Sequence, residues 1–331
     1  MSDIPPPRAI TDTHDFAPYV RILGRGPGKS RSLTRAEARN ALGMVLRGEA
    51  MREQIGAMLM LLRYRGEAID EMAGLVEAAR NHAALPWVFS KPVDLDWPSY
   101  ADGRTRGLPW YLLSALLLAR SGLRVLMHGP LRGPGRLPLV ESLRLLGITP
   151  DKAAPDKEAL DTTGFAFASL ETLNPALAGL LALRGLLGLR SPLNTVCRLL
   201  NPADARGGVD GVFHPNYIAV HVGTAALLGR NVSVLKGGGG EAEWNGAKPL
   251  VVTTPAGERT WPALDTASKP DSTTPAELVQ VCKRARVDPG GEAAVVATAA
   301  VALGAVTLGA AGWGTDPADC LAQAKRLWAA R

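Results

Sequence analysis

The sequence predicts an α/β protein with a small helical N-terminal domain and a larger α/β domain built on a mainly parallel sheet. Two patterns and the chain length support this class. Apolar residues recur at helical spacing between residues 34 and 82, whereas short apolar strands alternate with helices after Pro86. The 331 residues are enough for two structural units with a sizeable core.

Residues 1–30 are rich in proline, glycine and basic side chains and are predicted to form an extended lead-in. Within it, residues 19–23 are strand-like, and the following GRGPGKS resembles a phosphate-binding loop. Only three residues separate Gly24 from Gly28, however, and the P-loop requires about four at this place. We therefore expect no nucleotide-hydrolysing site in this segment.

Residues 31–88 are predicted to form the helical domain. Thr34 begins the first helix, and Glu37, three residues later, completes a capping box. A second helix ends at Gly66, and a third spans residues 67–82 with its apolar side chains on one face. We expect a further helix, at about residues 174–188, to join this domain.

Residues 89–331 are predicted to form the α/β domain. Strands are expected at 124–128, 165–169, 232–235 and 250–253, and helices at 110–120, 137–146, 175–187, 218–228, 275–286, 292–308 and 317–328. Residues 293–314 carry no charge and are long enough to span a bilayer. They are mostly Ala, Val, Gly and Thr, so we expect a buried helix and no membrane contact.

The net charge of +6 favours polyanionic partners such as nucleic acid, phosphorylated metabolites or an anionic membrane surface. The three cysteines lie far apart, which argues against a zinc site or a disulfide framework. The first seven residues contain no basic or apolar signal region. A cytoplasmic location is therefore expected.

An unusual loop, DLDWPSYADGRTRG at residues 94–107, lies where a strand meets a helix. Many α/β proteins bind phosphate at such a place with glycines, because backbone N–H groups can then approach the anion closely. Here bulky residues replace the glycines, and a proline removes one donor. The altered positions are Trp97, Pro98, Ser99, Tyr100 and Asp102.

Three short motifs connect the chain to a known family. They are residues 127–129 (MHG), residues 184–194 (RGLLGLRSPLN) and the Asn-Pro pair at 201–202. In this order they resemble motifs of anthranilate phosphoribosyltransferase, a member of glycosyltransferase family 3, and the resemblance runs from about Ser30 to the C-terminus. It implies a fold of the nucleoside phosphorylase and phosphoribosyltransferase class, with a substrate cleft between the two domains.

The catalytic signature of that family is altered in several places. The family's Gly-Thr-Gly-Gly-Asp loop corresponds to residues 97–102 here, and its Asn-x-Ser-Thr segment to residues 108–111. Its magnesium-binding Asp-Glu pair aligns with Ala242 and Glu243, which leaves Glu243 as the one candidate metal ligand. A His-Pro pair near the acceptor becomes Asn174-Pro175. These departures imply that the parent reaction has been lost, so no catalytic residue is assigned.

A Pro-Ser-Tyr loop in place of the glycine run resembles the YbiB-type branch of the family. Members of that branch are described as homodimers that bind DNA or RNA with little sequence preference. The resemblance therefore implies a non-catalytic protein that binds nucleic acid, needs no cofactor and dimerises through its N-terminal helices.

The basic residues suggest how such binding would work. Each phosphate contact releases counterions, so the affinity should fall steeply with salt. Lys236 precedes four glycines, which form either an anion-binding nest or a flexible loop. Trp97, Tyr100 and Trp110 are candidates for base stacking, with core packing as the alternative for Trp110. The candidate phosphate contacts are Lys236, Arg104, Arg106, Arg132, Arg136, Arg190, Arg198, Lys29 and Arg31.

Two other functions stay open at this point. The first is an active phosphoribosyl or glycosyl transferase with an altered donor or acceptor, in which Glu243 would help to hold magnesium. The second is a metabolite-sensing or protein-binding module in which the arginines are incidental.

Overall fold

The computed structural model describes residues 14–83, 85–101, 107–133, 135–151, 157–311 and 316–331. Its helices are α1 (Ala17–Gly24), α2 (Arg35–Leu46), α3 (Arg52–Arg65), α4 (Ile69–His82), α5 (Trp110–Arg120), α6 (Leu137–Leu145), α7 (Lys157–Thr163), α8 (Leu170–Leu173), α9 (Pro175–Ala182), α10 (Arg184–Leu187), α11 (Leu193–Arg198), α12 (Ile218–Leu227), α13 (Pro275–Cys282), α14 (Pro289–Ala311) and α15 (Pro317–Ala330). Its strands are β1 (Leu95–Pro98), β2 (Val125–Gly129), β3 (Phe165–Ser169), β4 (Gly207–Val212), β5 (Val232–Lys236), β6 (Leu250–Thr254) and β7 (Gly257–Trp261).

The strands of the described residues form one sheet in the order β3-β2-β1-β4-β5-β6-β7. Strands β1 to β5 are parallel, whereas β6 and β7 pair antiparallel at one edge. The predicted α/β class with a mainly parallel sheet is confirmed. The strand order reverses between β1 and β4, and ligands of open α/β sheets bind beyond the carboxyl ends of the strands at such a point.

Each face of the sheet is covered by its own hydrophobic core. On one face α5 and α14 pack with the sheet, and Trp97 and Trp110 lie in this core. On the other face the core joins Leu126 and Ala166 of the sheet to the helical domain and to Leu177 of α9. Since the helical domain and the sheet share this second core, the two units are held together by continuous apolar packing.

The helical domain begins earlier than predicted. Residues 17–24 form helix α1 rather than part of an extended lead-in, and the strand-like interpretation of residues 19–23 is wrong. The reason is helical periodicity, because Phe16 and Leu23 are both buried in the domain core. At α2 the capping box of Thr34 and Glu37 is present as predicted.

Helix α14 is the long apolar segment noted in the sequence. By length and composition alone it could cross a membrane, but 83% of its 18-residue window Pro289–Val306 is buried inside the fold. It packs against α5, α15 and β4. A side chain at Gly207 of β4 would collide with the Ala305 carbonyl group, so the close packing of this helix requires a glycine there.

Candidate functional site at the carboxyl edge of the sheet

One buried carboxylate ties the loop after β1 to the neighbouring elements. Oε1 of Glu241 accepts hydrogen bonds from the backbone N–H of Ala101 at 2.8 Å and from the Ser99 hydroxyl at 3.0 Å. The Arg136 guanidinium lies 3.3 Å from the same oxygen and donates to Ser99 at 3.0 Å. Ser99, Arg136 and Glu241 are all buried. Donors that could have faced a bound phosphate therefore face a carboxylate of the chain itself.

Arg136, one of the predicted phosphate contacts, belongs to this network and also lines the first of the two cavities described below. Arg136 is only 3% exposed, and its Nε also donates to the Pro130 carbonyl group at 2.9 Å. Its positive charge is paired with Glu241 in the interior, where leaving a charge unpaired is costly. Arg136 is thus the interior partner of Glu241, and its role as a phosphate contact stays a prediction.

A second carboxylate lies at the N-terminus of α5. Oε2 of Glu243 accepts a hydrogen bond from the backbone N–H of Tyr111 at 3.1 Å, in the first turn of the helix. Helix N-termini favour anions because their N–H groups are unpaired and the helix dipole is positive there. Ala242 beside it offers no metal ligand. Among the described residues no group of three or more His, Cys, Asp or Glu side chains is placed to hold a metal ion.

The aromatic residues of this region are buried, which corrects the expectation of base stacking. Trp97, Tyr100 and Trp110 all belong to the hydrophobic core. The Tyr100 hydroxyl is hydrogen-bonded to Nδ1 of His128 at 2.8 Å, and burial raises the pKa of this tyrosine well above its ordinary value. None of the three rings is available to a base, and the alternative of core packing for Trp110 is confirmed.

The glycines after Lys236 do not form the anion nest that was one of the two interpretations. Gly237 donates to the Val212 carbonyl group at 3.1 Å, and Gly238 donates to that of Glu243 at 2.8 Å. A side chain at Gly237 would collide with the Glu241 carbonyl oxygen. These glycines therefore allow close packing around Glu241, and their N–H groups are largely taken by the protein itself.

Two adjoining cavities form a cleft along the carboxyl edge, and Arg184 and Asn194 line both of them. The first, of about 580 Å³, is lined by Arg132 and Glu171 among others. The second, of about 380 Å³, is lined by four arginines, two histidines and one carboxylate, namely Arg63, Arg184, Arg190, Arg198, His214, His221 and Glu67. The second cavity thus has an excess of positive charge.

Arg198 is fixed in the wall of the second cavity. Its Nη1 donates to Oδ1 of Asp210 at 2.9 Å, and Oδ2 of Asp210 lies 2.5 Å from Nδ1 of His221. Burial raises the pKa of Asp210, but His221 and Arg198 outweigh it and hold that pKa below its ordinary value. Burial likewise raises the pKa of Glu67. Glu67 is therefore protonated at a higher pH than an exposed glutamate.

The structure separates the other predicted cations into groups. Arg132 is exposed and Arg190 half-buried at the cleft, and Lys236 is exposed at the end of β5. Lys29 and Arg31 lie between α1 and α2, outside the residues that line these two cavities, and Arg31 forms a salt bridge of 2.7 Å with Glu37. Asp102, Arg104 and Arg106 lie outside the described residues.

Sequence reasoning missed two aromatic residues and one arginine of the second cavity. Phe213 follows β4 and is 53% exposed, and Tyr217 is hydrogen-bonded to Arg63 of α3. The strand before Phe213 reads GGVDGV, and its glycines conceal it as a strand. The sequence signal that could have indicated this cavity was Phe213 itself, an aromatic residue next to the His-Pro pair at 214–215.

Similarity to known proteins extends over most of the chain. The helical bundle domain of the glycosyl transferase family matches residues 17–83. The uncharacterized protein YbiB of Escherichia coli (strain K12) is 31% identical over 236 residues, which are 70% of this chain and 73% of that protein. Anthranilate phosphoribosyltransferase of Moorella thermoacetica is 32% identical over 200 residues, which are 60% of this chain and 58% of that enzyme.

Solved structures share the fold across almost the whole chain. Anthranilate phosphoribosyltransferase (TrpD) from Thermus thermophilus superposes with a TM-score of 0.77 at 23% identity and covers 96% of this chain and 95% of its own. Anthranilate phosphoribosyltransferase from Saccharomyces cerevisiae in complex with PRPP and Mg superposes with a TM-score of 0.72 at 16% identity. It covers 95% of this chain and 93% of its own. The fold, the motifs and the similarity to YbiB together show that the chain belongs to the anthranilate phosphoribosyltransferase-like proteins of glycosyltransferase family 3.

Proposed function

We propose that this protein is a non-catalytic member of its family that binds DNA or RNA with little sequence preference along the basic cleft. The observation that carries the proposal is the place of Glu241. Its carboxylate accepts hydrogen bonds from the Ala101 N–H and the Ser99 hydroxyl, in the segment where the family resemblance puts the phosphoribosyl pyrophosphate donor. Donors that are already bonded to a carboxylate of the chain are not open to a phosphate of the donor, and this supports a protein that no longer binds it.

The charge of the cleft supports a polyanionic ligand. The second cavity has four arginines against one carboxylate in its lining, and Lys236 extends the positive surface at the end of β5. Phosphate contacts of this kind carry no sequence information, which fits binding with little sequence preference. We propose Lys236, Arg132 and Arg190 as contacts on the described surface, and Arg104 and Arg106, which lie outside the described residues, as further contacts.

The proposal also covers the setting in which the protein works. It is a cytoplasmic homodimer that assembles through its N-terminal helices, and no cofactor takes part in binding. Magnesium belongs only to the alternative function below.

Binding can be tested by fluorescence anisotropy with labelled single-stranded and duplex DNA at about 50 and about 200 mM salt. We expect the affinity to fall with salt, with a log–log slope of about −0.7 per phosphate contact on single strands. The double variant Lys236→Ala/Arg132→Ala is expected to weaken binding to every sequence tested and to make this slope shallower. Absent or salt-independent binding by the wild type would exclude the proposal.

An active transferase is the second candidate, because the fold is shared with the yeast enzyme whose structure contains PRPP and Mg. Calorimetry with phosphoribosyl pyrophosphate and magnesium distinguishes the two functions, with an active anthranilate phosphoribosyltransferase as the positive control. We expect no binding heat from this protein. Tight magnesium-dependent binding would favour the transferase.

A further inference from the structure

We propose that Phe213 and Lys236 form a subsite for an unpaired nucleotide, with the Phe213 ring stacking on the base and Lys236 contacting the adjacent phosphate. The inference rests on the proposed function and adds to it a preference for single-stranded nucleic acid. It also assigns the stacking role to a ring that lies outside the altered loop.

The first step is the exposure of Phe213. An aromatic ring of this size normally lies in the core, yet 53% of Phe213 is exposed at the rim of the second cavity. Its neighbour His214 packs at a ring-centroid distance of 4.8 Å and an interplanar angle of 83°. On the other side, the loop at Gly240 approaches the Cβ of Phe213 so closely that a side chain there would touch it. These contacts hold Phe213 in place while its ring stays exposed to solvent.

The second step is the position of Lys236 at the end of the strand next to the one that Phe213 follows. Val212 and Lys236 are register partners in the parallel pair of β4 and β5, so Phe213 and Lys236 lie at neighbouring strand ends. The lysine is exposed. Across the part of the chain that the structure describes, its ammonium forms no ion pair with a carboxylate. Its charge is therefore open to a phosphate.

The third step is the size and charge of the space next to the ring. The cavity of about 380 Å³ lies within the range of small-molecule sites and is bordered by Arg63, Arg190 and Arg198. A strand that places one base on Phe213 would thus direct its backbone along a positively charged wall.

Stacking of this kind distinguishes single strands from duplexes. In the interior of a duplex both faces of each base are covered by its neighbours, so Phe213 could reach such a base only after unstacking it. Every base has a π-face, and stacking is therefore tolerant of sequence. Lys236 contributes to the binding of single strands and of duplexes, because phosphates are present in each.

The experiment compares binding of labelled oligothymidine of about 16 nucleotides with binding of a blunt duplex of equal length. Phe213→Ala is expected to weaken single-strand binding about 5-fold or more, while duplex binding and the salt slope stay unchanged. Phe213→Trp should retain single-strand binding. Lys236→Ala should weaken both ligands and reduce the salt slope by about 0.7 on the single strand. Val287→Ala, an exposed apolar residue elsewhere, is the matched control.

The outcomes separate this inference from the proposed function. If Phe213→Ala leaves single-strand binding unchanged, or weakens single strand and duplex equally, the stacking subsite is wrong although the protein still binds nucleic acid. If the wild type binds neither ligand, the proposed function and this subsite both fail. Selective loss on single strands, with retention in Phe213→Trp, supports the subsite.

Discussion

Glu241 is the residue that connects the elements at the carboxyl edge of the sheet. It is 1% exposed and faces Arg136, Ser99 and the N–H of Ala101. A buried pair adds little net stability, because both ions lose their hydration, but removing one partner leaves the other charge unpaired. The pair therefore fixes the position of the loop more than it adds to the stability of the fold.

Removal of the Arg136 guanidinium is expected to destabilise the protein strongly. Arg136→Met leaves a buried unpaired carboxylate, which should lower the free energy of unfolding by about 3–5 kcal/mol. In the double variant Arg136→Met/Glu241→Gln the charge is gone, and part of this loss should be recovered. Urea unfolding followed by circular dichroism measures the free energy of unfolding of the single and the double variant. If the double variant is less stable than the single one, the ion pair is not the cause.

At the surface, Glu37 should make the stability depend on pH. The Arg31 guanidinium and the Thr34 cap lower the pKa of Glu37 from about 4.5 to about 2. A carboxylate with a depressed folded pKa stabilises the fold above its unfolded value, and this stabilisation is lost as the pH falls through the folded pKa. The melting temperatures of wild type and Glu37→Gln should therefore differ at pH 6 and converge between about pH 4.5 and about pH 2. An equal difference at every pH would contradict this linkage.

At the scale of elements, sequence reasoning predicted most helices and the strands with clear apolar runs. The predicted helix at 110–120 and strand at 165–169 have the bounds found in the structure. It missed β4, whose glycines hide the strand pattern: Gly207 is required by packing against α14, and Gly211 by the close approach of the backbone at Glu241. It also missed α1, where proline and glycine on either side favoured an extended interpretation.

The glycine-rich turn after β5 offers a test of element packing. Gly237→Ala should strongly destabilise the protein, because the new methyl group would collide with the backbone at Glu241. Gly56 of α3 has nothing within 4 Å of an added Cβ. Gly56→Ala is therefore expected to stabilise the helix by about 0.5–1 kcal/mol. Thermal unfolding of the two variants provides a matched comparison, and similar effects of both would exclude backbone collision as the reason.

At the scale of the whole molecule, the proposed homodimer needs an exposed apolar surface on the N-terminal helices. Tyr64 of α3 is 91% exposed and Met51 precedes the same helix at 43%. Exposed apolar residues of this kind are common at interfaces. Light scattering should give twice the mass of the 34.9 kDa chain.

Tyr64→Glu is expected to shift this homodimer toward monomers, because it would bury a charge in the interface. Val287→Glu, at an exposed position of the α/β domain, is the control and should leave the homodimer unchanged. A monomeric wild type would contradict the proposed assembly.

The candidate site was less predictable than the fold. The resemblance indicated the location of the cleft, and the arginine-rich segments correctly indicated Arg132 and Arg190 among its lining residues. Sequence could not show that Arg136 faces Glu241, since the two are more than a hundred positions apart and meet only through the sheet. Nor could it show that Trp97 and Tyr100 turn inward while Phe213 turns outward.

The position of Glu241 also bears on how reversible the evolution of this branch is. Restoring the glycine loop alone would present new N–H donors to a site that already contains an anion. Replacing Glu241 alone would leave Arg136 unpaired and the bulky loop in place. Each step back toward the donor site is therefore unfavourable without the other, which is epistasis between two segments that are distant in sequence. Under the proposed function, the chain keeps the fold of the transferases, and no single substitution in either segment would restore their donor site.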